Sequence, residues 1–229
     1  MAKFPSSALL ERRLPKDKLQ KHLREHACDR VWREHARDRV WVDDIERLTV
    51  SHKFTPANTR LKETPECPEI LVIRADLKSR SEHLEALGWL AAVIPHPLLL
   101  CWRYGTAERW AVWYRRSGAK PDKGALYSTG WQELGEPELS GATLEEAYLH
   151  LVGLWAEVSQ GETLKRSELD ERLVRKQNAE ELRGKIARLE VREKKSVQAQ
   201  EKWQLHQEKC ECQAELDKLS EDCPWLGRS

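Results

Sequence analysis

Between Glu162 and Cys223 the chain has no proline and a single glycine, Gly184. Nothing in that stretch forces a helix to break. About half of its residues are charged, which excludes a buried core segment and leaves a long solvent-washed helix. Other absences narrow the function. No apolar run reaches about 18 residues, and the longest apolar region, 84–101, is interrupted by His96 and two prolines, so no membrane association is expected. Met1 is followed by Ala-Lys-Phe-Pro, without an apolar stretch of signal-peptide length. The six cysteines, Cys28, Cys67, Cys101, Cys210, Cys212 and Cys223, match neither a disulfide framework nor paired C-x-x-C zinc ligands. A reducing, cytoplasmic setting is the expectation. There is no phosphate-cradling G-x-x-x-x-G-K-[ST] and no G-x-S-x-G nucleophile elbow. No cofactor is expected.

What is present divides the chain in two. Residues 1–161 carry most of the tryptophans together with proline and glycine punctuation, and read as an α+β globular domain; residues 162–229 read as a helical arm. Residues 1–60 hold fourteen Lys/Arg against nine Asp/Glu, a mild basic bias. Within them lies a tandem duplication: REHACDRVW at 24–32 and REHARDRVW at 33–41 differ only at Cys28 and Arg37. Asp17 can cap a helix from Lys18 through this block. Nine residues are two and a half helical turns, so Trp32 and Trp41 would point apart in one unbroken helix. The helical reading continues over Val42–Val50, with Ile45 and Leu48 on one face.

Glu69–Leu77 is apolar almost throughout and predicts a central strand. Ser81 predicts a helix cap, with Leu84, Leu87 and Leu90 at core spacing. Three strands follow, at Pro97–Tyr104, Arg109–Arg116 and Leu126–Leu134, the first two joined by a Gly105–Glu108 hairpin loop. Thr143 with Glu146 has the spacing of a capping box, opening a helix that buries Leu149, Val152, Leu154 and Trp155. The expected sheet is four-stranded and mostly antiparallel, flanked by helices. In the arm, Leu182, Ile186 and Leu189 form one heptad-like seam, and Leu205, Cys212, Leu216, Leu219 and Cys223 another. The two are out of phase, and Val197, eleven residues after Ile186, can join them in one coiled-coil-like helix; an antiparallel hairpin is the alternative. Leu182, Ile186, Leu189, Leu205, Leu216 and Leu219 are the candidate partner-binding residues. A lone polar helix buries too little to be stable, so a larger protein or a second copy should cover them.

Chemistry-bearing sets are sparse. His206 and Cys210 share a helix face, but no second pair at ligand spacing completes a metal site, and no metal is expected. Glu69, Asp76 and Lys78 invite comparison with metal-dependent nucleases, yet no Glu-x-Lys follows on the next strand. The hairpin is aromatic and basic, and Arg103, Trp113, Arg115 and Arg116 are its candidate nucleic-acid contacts. Trp102 and Trp110 alternate with core residues.

The order Phe4-Pro5, Leu14-Pro15-Lys16, the segment Lys53-Phe54-Thr55-Pro56-Ala57-Asn58-Thr59-Arg60-Leu61, Glu69–Lys78, Ile94-Pro95-His96-Pro97 and Tyr127-Ser128-Thr129-Gly130-Trp131 resembles an uncharacterised bacterial family, the domain of unknown function forty-three ninety-one. The duplicated block departs from that pattern. The resemblance implies an accessory subunit encoded beside helicases and DNA methyltransferases in defence islands, and brings no catalytic residues with it. The expectation is therefore a non-enzymatic adaptor of a DNA-modifying or anti-phage complex, binding a helicase or methyltransferase, or itself, through the arm. A DNA-contacting specificity module and a divergent metal-dependent nuclease are the alternatives.

Overall fold

The structure, a computed structural model, describes residues 4–15, 43–80, 94, 96–119, 124–223 and 225. The helix expected from Lys18, with its tandem repeat, and the helix expected from Ser81 lie outside them. The described residues form a mixed α+β fold with one sheet of seven strands: β1 Leu9–Arg13, β2 Ile45–Phe54, β3 Ile70–Leu77, β4 Leu98–Tyr104, β5 Ala107–Tyr114, β6 Ala125–Ser128 and β7 Gln132–Glu133. The spatial order is β1-β2-β3-β4-β5-β6, with β7 also on β5. Every pairing is antiparallel except β3 with β4, which a crossover connects. Three α-helices are described: α1 Leu144–Trp155, α2 Arg166–Lys195 and α3 Ala199–Asp222.

The four-strand count is too low, for identifiable reasons. Val42–Val50 reads as helix because Ile45 and Leu48 are three apart, but from Ile45 the chain is the long strand β2. A register shift between Ile45 and Arg47 inserts an extra residue, so Ile45 and Leu48 share a sheet face despite their odd spacing. All five residues of β1 are exposed, leaving no alternation to detect, and Glu11 within it has φ +47. The expected strand Leu126–Leu134 is two short ones, both paired to β5. The hairpin loop is tighter than expected: Tyr104 pairs with Ala107, and Gly105, at φ +57, takes the glycine position of a two-residue turn.

The sheet buries both faces. On the back, Leu48, Ile73, Ala75, Leu98, Leu100, Trp102 and Ala111 form one cluster. On the front, Phe54, Ile70, Val72, Leu99, Val112 and Tyr114 pack with Leu144, Tyr148, Leu149, Leu151 and Val152 of α1. Thr143 caps α1 by accepting from the Glu146 amide, while the Glu146 carboxylate accepts from Ala142 rather than closing the box on Thr143. Leu164, Leu169 and Leu173 join the same front cluster, so the first two turns of the arm are built into the body.

His52 lies edge-on to Phe4 and stacks beside Phe54 at 6.1 Å, both rings of the front cluster. Burial pushes its pKa below the ordinary 6.5. A histidine so lowered favours its neutral form in the folded state. The unfolded chain therefore takes up the proton first, and stability is lost as pH falls below 6.5. Urea midpoints taken at about pH 7.5 and 5.5 should fall on acidification in the native sequence and fall less in His52→Gln.

Past the body, α2 and α3 fold back on each other around Ser196–Gln198. The arm is an antiparallel hairpin rather than one helix. Val197, read as the bridge between two seams, sits in the turn and is 96% exposed.

Candidate functional site

Cross-strand register places Arg47, Asp76, Arg103, Glu108 and Gln132 in one row across β2, β3, β4, β5 and β7. Charge alternates along it, the arrangement that favours correct register. The Arg47 guanidinium donates to Asp76 at 2.8 Å, and Arg74 reaches the other Asp76 oxygen at 3.7 Å while donating to both oxygens of Glu11 at 3.1 Å. Glu108 is buried and accepts from the Gly135 amide. Glu69 sits before the far end of β3, about 23 Å from Asp76 along an extended strand, and pairs with Lys53 and His96. The two carboxylates of the nuclease comparison thus lie apart, each beside cations. Lys78 follows β3, its amide bonded to the Asp44 carbonyl. Among the described residues no three His, Cys, Asp or Glu side chains are grouped to hold a metal.

The four candidate nucleic-acid residues do not form one patch. Arg103 is in the charge row, opposite Glu108. Trp113 is on the back face, half-buried, its indole so close over Gly124 that a Cβ there would lie 2.4 Å from it. Arg115 and Arg116 are exposed beyond the end of β5, with Arg116 about 26 Å along the strand from the Arg103 row.

Arg116 instead opens onto a groove that the sequence did not reveal. It has a volume of about 570 Å³ and is walled by Tyr114, Tyr127 and Trp155, with Leu173, Lys176, Gln177 and Glu180 from the arm. The body and arm are fastened at its edge. The Tyr114 hydroxyl donates to Asp170 at 2.8 Å, and the other Asp170 oxygen accepts from the Ser117 amide at 3.0 Å. Burial, then this contact, push the Tyr114 pKa up. Lys176 donates to the Ala156 carbonyl at the C-terminus of α1 and to Glu157. Arg166 bonds to Glu145, and its guanidinium lies over the Tyr114 ring. Trp155 reads in the sequence as core; it is half-buried because its outer side borders the groove. Leu169 and Leu173, four apart at the start of the arm, were the available signal that this stretch docks on the body.

The six candidate partner-binding residues do come together, inside the hairpin. Leu182, Ile186, Leu216 and Leu219 pack with Ala179 and Cys223, and Leu189 and Leu205 with Cys212. Lys185–Glu208 at 2.9 Å and Glu193–Lys209 at 2.7 Å flank the seam. The chain covers its own seam, which is why two runs out of heptad phase coexist: they belong to different helices. His206 contacts Cys210 through Nε2 at 3.6 Å and Glu193 through Nδ1 at 3.1 Å. Opposite ring nitrogens cannot direct both groups to a common ion. On the hairpin's outside, Trp203 is 65% and Val191 52% exposed.

No described helix is long and apolar enough to cross a membrane. No curated protein and no solved structure matches the chain significantly. The sequence pattern that does match covers residues 3–216, nearly the whole length, so the chain belongs to the family described as a domain of unknown function (DUF4391).

Proposed function

We propose that the protein is a non-enzymatic accessory subunit of a bacterial DNA-modifying or anti-phage complex, and that its hairpin arm engages a larger helicase or DNA methyltransferase. The observation that carries this reading is the hairpin itself. Helix α2 has 30 residues, about 45 Å of helix. Its first turns pack on the body, and from Leu182 onward its apolar contacts are with α3. An arm that closes its own seam and still exposes a tryptophan offers a surface for a partner. The contact surface is therefore assigned to the outer side of α3 around Trp203, and not to the leucines of the seam.

Replacing Trp203 by Glu removes that aromatic contact while leaving the seam intact. The expected result is at least about a tenfold loss in affinity for the co-purifying helicase or methyltransferase, with unchanged helix content. Equal recovery of the same identified partner by the variant and the native protein would overturn the assignment.

A further inference from the structure

The groove between β6 and the base of the arm has properties that the adaptor reading does not use. Its volume of about 570 Å³ falls within the range of small-ligand sites, roughly 300–1,000 Å³. Three aromatic rings wall it. Most of its polar groups are engaged within the protein. Tyr114 is held by Asp170, Lys176 by Ala156 and Glu157, and Gln177 by Glu181, while Glu180 stands 4.0 Å from Lys176. Three groups have no such bond among the described residues: the exposed Arg116 guanidinium, the Tyr127 hydroxyl and the Trp155 indole N–H. All line the groove. Burial pushes the Tyr127 pKa up, the Arg116 charge pulls it down, and the Glu180 and Asp170 carboxylates push it up again.

A guanidinium and a phenolic hydroxyl lining one groove are donors suited to a phosphate. The half-buried Trp155 lines the same groove, and base-on-aromatic stacking tolerates any base. Of the two lining cations, Lys176 is already held by Glu157 and faces Glu180, so the exposed Arg116 guanidinium is the one open to an anion.

We propose that this groove binds a nucleotide unit, with the phosphate on Arg116 and the Tyr127 hydroxyl and the base against Trp155. The unit has two sources, a free nucleotide or an unpaired nucleotide of a DNA strand. This site is separate from the outer surface of α3, and its test does not depend on any protein partner.

The test uses the full chain and two probes: thymidine monophosphate by calorimetry, and a fluorescein-labelled thymidine oligonucleotide of about twelve nucleotides by anisotropy, at low and physiological salt. Arg116→Ala alters an exposed side chain, and Tyr127→Phe removes only a hydroxyl, so neither should disturb folding. Trp155→Leu keeps apolar bulk and removes the stacking face. We expect Arg116→Ala to weaken binding about tenfold or more, and Tyr127→Phe and Trp155→Leu to weaken it about three- to tenfold each. Binding of both probes with these losses assigns the site to free nucleotides as well as strands. Binding of the oligonucleotide alone, with the same losses, assigns it to an unpaired strand. Failure of both probes to bind, or binding that Arg116→Ala and Tyr127→Phe leave unchanged, overturns the proposal.

Discussion

A chain ended at Gly161 is expected to lose its cooperative unfolding transition. Composition alone divides body from arm there, because glycine and proline become scarce afterward. Packing does not respect that division. Leu164, Leu169 and Leu173 are 4%, 0% and 5% exposed and belong to the front cluster under α1. Each buried leucine contributes about 1.5–3 kcal/mol, so their joint loss approaches the whole stability of a domain, about 5–15 kcal/mol. The same cut removes Asp170 from Tyr114 and Ser117, and Arg166 from Glu145. Removing Asp170 leaves a largely buried phenol without its acceptor, an added cost. Leu169→Ala in the full chain is the graded version and should cost about 2–5 kcal/mol. Thermal and urea unfolding read both. A cooperative 1–161 fragment with near-native stability would place the body's core wholly before the arm.

The second large effect is expected in the seam. Ile186→Asp with Leu189→Asp puts two carboxylates between α2 and α3. Leu189 is 4% exposed, and both residues pack against Leu205 and Cys212. Burying an unpaired charge there costs several kcal/mol, more than a short two-helix hairpin can absorb. The hairpin should open, with loss of helical signal and of any partner bound on its outer side. The body should keep its melting temperature, because the seam residues lie in separate clusters from the sheet core. Circular dichroism and light scattering distinguish the outcomes. An intact hairpin in the double variant would show that the seam contributes little to its closure.

What was legible in the sequence follows from what each segment buries. β3 and β4 are covered on both faces, so their apolar runs announce strands directly. The faces of Trp102 and Trp110 follow from alternation and are as expected, one on each core. β2 was misread because a bulge changes strand periodicity into something that mimics a helix between Ile45 and Leu48. β1 is exposed throughout and carries no periodic signal. The turn of the arm, Ser196-Val197-Gln198, has neither glycine nor proline, so only the phase break between the seams betrayed it. The groove was not legible at all, because Arg116, Tyr127, Trp155 and Lys176 come from four segments that only the tertiary fold brings together.

The hairpin also has an electrical consequence. Antiparallel helices set the C-terminus of α2 beside the N-terminus of α3, so their backbone dipoles largely cancel at the free end. The potential there is left to side chains. The outer part of α2 holds Arg183, Lys185, Arg188, Arg192, Lys194 and Lys195 against Glu190 and Glu193. Near the body α2 is close to balanced, with Arg166, Arg172, Arg175 and Lys176 against Glu168, Asp170, Glu171, Glu180 and Glu181, while the last half of α3 is acidic, with Glu211, Glu215, Asp217, Glu221 and Asp222 against Lys218. The arm is thus polarised, positive at the outer end of α2 and negative along the last half of α3. An approaching partner with an acidic surface is drawn to the outer end and repelled from the last half of α3. Such steering speeds encounter more than it tightens the final complex, and it fades as salt rises.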